Sequence, residues 1–420
     1  MPGRTLDAVI VGAGPAGSRV ARDLAAAGLD VVVLEEHGEI GLPCHCSGLV
    51  TQRTLDLAAV GREIVLNEIR GMYVSSHPSR RYRLGGGGRT YASVINRVGL
   101  DRQLVDQAID AGAELRLRTQ YEGHRPVNGA PGRLGHVEVD VTSGGSHGTI
   151  RTRLLVGCDG ARSKVARALR PSGRRLTGVI SGLGALATFD ANLPQDHVEV
   201  FIDHEAAPGW FAWTIPLRDG TARLGTGSGN GVRAIESFRR MQARFPESFG
   251  ASEVLSHTGG SIALWEPGPM VADRVMLVGD AARQVKPTSG GGIYQALFAA
   301  GLAARVGVAA LRRDDLSSAA LRRYEWQWKR SMQRELLRQR DLRRAFVMLS
   351  RGDVGKILDV LDRPEVRTAL EDCGDIDFPS RAAIALLRHQ PILALRAARA
   401  MRSPLAWLPL ASREHQPSSR

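Results

Sequence analysis

Residues 6–12, LDAVIVG, form a short apolar run that opens directly into Gly12-Ala-Gly14-Pro-Ala16-Gly17. Few patterns restrict a fold as tightly. The run reads as a buried parallel strand, the small residues over 15–28 as a helix closing at Gly28, and DVVVL over 30–34 as a second strand. Glycines at the first turn of such a unit permit a tight bend, close approach of a pyrophosphate and close helix–strand packing. Glu35 ends the second strand, 23 residues after Gly12, where its carboxylate can accept ribose hydroxyls. An acid at this point suits a ribose without a 2′-phosphate, so the expected dinucleotide is FAD or NAD rather than NADP.

A second nucleotide signature lies more than 250 residues later, in VMLVGDAARQVKPTSGGGIYQALF over 275–298. An apolar strand runs into Gly279-Asp280, where an acid suits a polyol hydroxyl. After Lys286-Pro287, three glycines at 290–292 open a long Ala-rich helix at Ile293. Free N–H groups and the positive helix end there can meet an anion or an electron-rich ring edge. Two such elements far apart in one chain imply a large cofactor gripped from both ends. Between them, Cys158-Asp159-Gly160-Ala-Arg162-Ser163 follows a strand at 150–157, and reads either as another cofactor contact or as a plain strand–turn–helix.

At 420 residues the chain calls for two or three domains, and 43% hydrophobic with 24% charged residues is the make-up of an ordinary globular protein. The formal charge is +13, and arginine carries most of it, with only four lysines. No basic segment is interleaved with aromatics, so nucleic acid is not an expected partner. Residues 321–420 hold 20 Lys or Arg against 12 Asp or Glu, which suits an anionic membrane surface or an acidic protein such as a ferredoxin, or else a solvated helical face. Four scattered cysteines make no disulfide framework, and a cytoplasmic, possible peripheral-membrane setting is expected. The longest apolar stretch, Ala296 to Leu311, is interrupted by Arg305 and falls short of the ~18 residues of a membrane span. Cys44-His45-Cys46 has no second Cys/His pair nearby, so no metal site is expected.

The expected class is α/β: a Rossmann-like FAD-binding domain with an inserted antiparallel-sheet substrate domain and a C-terminal helical region. The cofactor domain is assigned to 1–70, 90–170 and 258–316, the substrate domain to 71–89 and 171–257, and the helical region to 317–420. Turns at Pro208-Gly209 and Asp219-Gly220 punctuate a strand-rich block, and Gly85 to Gly88 read as a hinge.

The order GAGPAG, CDGARS and GDAA resembles FAD-dependent oxidoreductases of the aromatic-hydroxylase-like fold. Within them, LPCHCSG over 42–48 and KPTSGGGIY over 286–294 resemble the geranylgeranyl reductase family, which binds FAD and saturates isoprenoid double bonds. The resemblance covers residues 6–330. It implies cofactor contacts at Gly12, Gly14, Ala16, Gly17, Glu35, Cys46, Arg97, Asp159, Asp280, Gly291, Gly292 and Ile293. It aligns Cys46, not Cys44, with the family's cysteine. The family's Tyr-x-Trp-x-Phe-Pro cavity stretch becomes Phe211-Ala-Trp213-Thr-Ile215-Pro216, which loses a tyrosine hydroxyl and keeps the apolar wall. Trp210, Phe211, Trp213 and Pro216 are the expected substrate contacts, against the plain reading of core aromatics.

The implied reaction is saturation of geranylgeranyl or polyprenyl C=C bonds by hydride from reduced flavin N5 plus a proton, with Cys46 as relay, His45 assisting, and Lys286 neutralising phosphate or flavin charge. Cys46 as a packed small residue is the plain alternative. NAD(P)H or reduced ferredoxin would supply electrons, since a second Rossmann motif is not evident. The competing readings are an FAD-dependent monooxygenase acting on an aromatic or polyketide substrate, and a non-catalytic flavin or lipid carrier.

Overall fold

The computed structural model describes residues 4–127, 135–169, 178–190, 194–229, 231–250 and 252–389. The expected 170/171 domain boundary and residues 390–420 of the helical region lie outside the described residues.

Thr5–Val11 is a strand because both of its faces find apolar cover. Ala8 and Ile10 point into one cluster with the helices Pro15–Ala25 and Ile293–Arg313, while Val9 and Val11 point into another with Tyr121, Val139 and Val165. The strand pairs in parallel with Val31–Leu34 on one side and with the end of Ser146–Gly157 on the other. Glu114–Arg116 and Val275–Leu277 extend the parallel array at its two ends. Val271–Ala272 and the antiparallel strands Thr119–Val127 and His136–Ser143 complete an eight-stranded sheet.

A seven-stranded sheet forms the second body, in the order Val254–Ala263, Val179–Thr188, Thr221–Ser228, Ala212–Pro216, His197–Phe201, Gly71–His77 and Arg80–Gly85. All neighbours are antiparallel except His197–Phe201 with Gly71–His77. One face is closed by the helix Ala234–Arg244, whose Phe238 and Met241 pack on Ala185, Ala212, Ala222 and Leu224. The opposite face turns to the cofactor domain: Trp213 and Ile215 meet Ile69 and Val94, and Trp210 meets Leu264 and Val285.

The sheet runs through the expected 257/258 boundary. Gly259 and Gly260, just past that boundary, stay extended and pair with Leu183 and Gly182. Likewise the described part of the helical region after Ser317 packs against the parallel sheet. Tyr324, Trp328 and Leu336 are buried in the same cluster as the parallel sheet, and the Tyr324 hydroxyl donates to the Leu277 carbonyl at 3.0 Å. The helix Ile293–Arg313 has the length and composition of a membrane span, but 72% of its most apolar window is buried inside the protein.

Candidate functional site

The parallel strands end side by side, and one hydrogen bond steps from each to the next. Gly12 N–H donates to Leu34 O at 2.8 Å, Cys158 N–H to Val11 O at 2.8 Å, and Val278 N–H to Gly157 O at 3.0 Å. This lines up the GAGPAG, CDG and GDAA turns along the carboxyl edge of the sheet, where open α/β sheets bind ligands. Gly12 adopts φ +99°, and a Cβ there would sit 2.6 Å from the Cys158 carbonyl. A Cβ on Gly17 would collide with Gly12 O, whereas one on Gly14 would meet nothing within 4 Å. Gly12 and Gly17 thus close the turn, and Gly14 leaves its open side bare. Glu35 accepts the Ala13 N–H through Oε2 at 3.0 Å and the His37 N–H through Oε1 at 3.0 Å, so it braces this turn from below.

Two residues of the expected set have packing duties. Ala16 is buried against the Gly279 turn, where a Cβ would come within 2.9 Å of its methyl group. Asp159 spends both carboxylate oxygens on the following helix start, accepting Ser163 Oγ at 2.6 Å and the Val165 N–H at 3.1 Å.

Arg97, Asp101, Asp280 and Cys46 converge next to the turns. Arg97 pairs with Asp101 at 2.8 Å, while its Nε is buried with no partner among the described residues. Burial pushes the Asp101 carboxyl up to about 6 against the pull of the Arg97 charge. Burial also raises the Asp280 carboxyl, again opposed by Arg97. Asp280 Oδ1 lies 3.1 Å from where a Cβ would stand on Gly292. The Cys46 thiol is driven up by burial and eased back by Arg97 and by the Gly48 N–H, which donates to Sγ at 3.3 Å. It is therefore a neutral, proton-carrying group at ordinary pH.

The segment bearing Cys46 is fastened to the seven-stranded sheet. Thr258 Oγ1 donates its proton to the Cys44 carbonyl at 2.7 Å, so His45 Nδ1, 2.8 Å from Thr258 Oγ1, acts as donor to that hydroxyl and Nε2 keeps its lone pair. Burial lowers the His45 pKa, and the charges of His37 and Arg162 add to that. From the strand Thr221–Ser228, Arg223 donates to Ser47 O at 2.8 Å and to Ile95 O at 3.0 Å. Its only sequence signal is one arginine in an otherwise small and apolar strand.

Above that face stands the aromatic group. Trp210 is fully buried and stacks on Phe211 at 5.0 Å and 17°, and Phe211 meets Trp213 at 5.8 Å. The sheet accepts these rings because it is paved with glycine: Trp213 covers Gly225 and Trp210 covers Gly227, where any Cβ would clash. Pro216 does not join them. It pairs with Ala222, which belongs to the cluster under the helix Ala234–Arg244, and strand alternation sends it to the face opposite Trp213.

These features suit a bound dinucleotide beside an aromatic face of the seven-stranded sheet. A family profile described as an FAD binding domain matches residues 5–325. A digeranylgeranylglycerophospholipid reductase of Methanosphaerula palustris is 30% identical over 337 residues, covering 77% of this chain and 81% of its own. The chain belongs to the geranylgeranyl reductase family. A digeranylgeranylglycerophospholipid reductase of Methanothrix thermoacetophila is 29% identical, covering 86% and 92%. The fold matches the crystal structure of a geranylgeranyl bacteriochlorophyll reductase-like protein from Thermoplasma acidophilum with TM-score 0.82 at 24% identity, over 94% of this chain and 99% of that one.

In this reductase the glycine loop is held from an unexpected quarter. Lys286 is buried and gives its ammonium protons to Ile376 O at 2.9 Å and Asp377 Oδ1 at 3.1 Å, instead of presenting a free charge. Asp377 also accepts Thr51 Oγ1 at 2.6 Å, and Arg53 pairs with Asp375 at 3.2 Å. Residues 375–378 thereby strap the glycine loop to the segment after Cys46. Gly292 caps the helix Ile293–Arg313 with no side-chain acceptor, which leaves its first N–H groups outward. Ile293 itself packs inward with Leu55, Leu100 and Leu297. None of this strap was legible from motifs, because its partners lie in a region with no family signature.

The site fits FAD on structural grounds: an open Gly14 turn, an orphaned Arg97 Nε, and an uncapped helix start facing the Asp280 turn.

Proposed function

We propose that this protein is an FAD-dependent reductase that saturates C=C bonds of a geranylgeranyl or related polyprenyl group carried on a glycerophospholipid or another isoprenoid. The convergence of Cys46 and Arg97 with the dinucleotide turns, beside the Trp210–Phe211–Trp213 wall, is the observation that carries this reading. Membership of the geranylgeranyl reductase family supports it.

Gly12, Gly14, Gly17 and Glu35 would hold the adenosine and pyrophosphate part, Arg97 and Asp280 the polyol part, and the N–H groups at Gly291 and Gly292 the ring edge. Bound FAD, once reduced, supplies the hydride. The outward N–H groups and the positive helix end at Gly292 favour negative charge at that edge. The aromatic wall buries the prenyl chain, at about 0.8 kcal/mol per CH₂, and attracts cationic character on the accepting carbon by about 1–2 kcal/mol. Cys46, whose thiol holds its proton more tightly than a free one, delivers that proton to the second carbon, and His45, exposed, returns one from solvent. Lys286 acts on the flavin loop indirectly, through Asp377.

Electrons come from NAD(P)H visiting transiently or from a docked reduced ferredoxin, and the protein works in the cytoplasm at the surface of the membrane that holds its lipid. The test is anaerobic photoreduction of bound flavin followed by geranylgeranylated lipid. Flavin reoxidation with a gain of two hydrogens per double bond supports the reading. Oxygen-dependent turnover on aromatic compounds, with prenyl lipid left unchanged, overturns it in favour of the hydroxylase alternative.

A further inference from the structure

One cation near the aromatic wall has no counter-charge among the described residues. Arg343, on the helix Arg334–Val347, places its guanidinium carbon 4.6 Å from the centre of the Trp210 ring. It spends one donor, Nη2, on the Gly209 carbonyl at 3.0 Å. Among the described residues no carboxylate pairs with it. Burial without a compensating charge brings the guanidinium down to about 10. A cation held in that condition attracts an anion strongly.

The same ring supplies a second unused donor. Trp210 is fully buried, and its indole N–H has no acceptor among the described residues. Glycine lets the two groups sit close to the sheet: Gly227 lies under the pyrrole edge, where a Cβ would come within 2.7 Å of Trp210 Cδ1, and a Cβ on Gly229 would stand 3.6 Å from Arg343 Nη2. Apolar side chains, Ile180, Leu264 and Val285, fill the rest. The neighbourhood therefore pairs a hydrocarbon-like wall with donors that lack acceptors, which is the recognition pattern of a chain ending in an oxyanion.

We infer that Arg343, seated on Trp210, recognises the phosphate group of the prenyl substrate. The inference rests on the reductase reading above and adds the residue that selects anionic over neutral prenyl compounds. A planar guanidinium can take two oxygens of one phosphate, either a phosphodiester or a terminal diphosphate. The step is binding alone, with no bond made or broken.

The test compares the parent with Arg343→Met and Arg343→Lys on three prenyl compounds: a digeranylgeranylglycerophospholipid, geranylgeranyl diphosphate and geranylgeraniol. Calorimetric binding to the oxidised holoenzyme is measured beside steady-state reduction. The expected result is about 10–100-fold weaker binding and higher KM for the two phosphates with Arg343→Met, kcat within about threefold, an unchanged response to geranylgeraniol, and partial recovery with Arg343→Lys. A loss confined to the phospholipid assigns the site to a phosphodiester, and one confined to the diphosphate assigns it to a free prenyl diphosphate. Equal losses on neutral and anionic chains, or no loss on either phosphate, overturns the inference. Should Arg343→Met unfold, Arg343→Gln runs the same comparison. A parent that binds the phosphates but reduces none of the chains refutes the reductase reading, and the binding arm still decides the role of Arg343.

Discussion

Lys286 and Asp377, 91 residues apart, form a buried ion pair at 3.1 Å that joins the glycine loop to the turn before the helix Ser380–His389. The carboxylate is shared with Thr51, so one acid holds both the glycine loop and the segment that follows Cys46.

Removing one partner strands a buried charge. Asp377→Asn and Lys286→Met are each expected to cost about 3–5 kcal/mol in urea unfolding, whereas Lys286→Met with Asp377→Leu recovers much of that. A double-variant cost equal to the sum of the two single costs would mean that the two residues act independently.

Cys46 is the proposed proton carrier. Cys46→Ala should retain bound FAD with an ordinary absorbance spectrum while single-turnover alkene reduction slows by about 10²-fold or more. Full-rate reduction by this variant would leave the thiol as a packing group.

Asp101 introduces a pH dependence of stability. Its folded pKa of about 6 lies above the ordinary 3.8, so the favourable contribution is complete below about pH 4 and is lost as pH rises through 6. Asp101→Asn, fixed in the neutral form, should therefore gain on the parent in unfolding free energy, and so in Tm, between pH 5 and pH 7.5, by roughly 2 kcal/mol at the upper end. A constant difference in Tm across that range would show that Asp101 does not titrate there.

Gly225 is the seat of Trp213. Gly225→Ala forces the indole off the sheet, with a cost of about 1–3 kcal/mol, and should shift the distribution of partly reduced prenyl products. Thermal melts and product masses check both halves, and an unchanged product distribution would remove Trp213 from the substrate wall.

The Gly12–Gly17 turn, Glu35 and the Gly279–Asp280 turn could be read in the chain because their chemistry is local. A strand end, a glycine with positive φ and a helix start are specified by residues within a few positions of each other. The side of the sheet taken by Pro216 was not readable, since alternation assigns faces only after the register with Ala222 is known. The 257/258 boundary misplaced the end of the sheet for a related reason: the extended conformation of Gly259 and Gly260 is imposed by pairing with Val179–Thr188.

From its sequence alone the chain determined a dinucleotide turn, a second flavin-type glycine loop, an inserted sheet and membership of a reductase family. Only the tertiary structure decided that Arg223 clamps the Cys46 segment, that Asp377 occupies Lys286, and that Arg343 lies over Trp210. Each of these joins residues tens to hundreds of positions apart. A charged side chain in the sequence specifies the kind of partner it needs, but burial and chain path determine which partner reaches it.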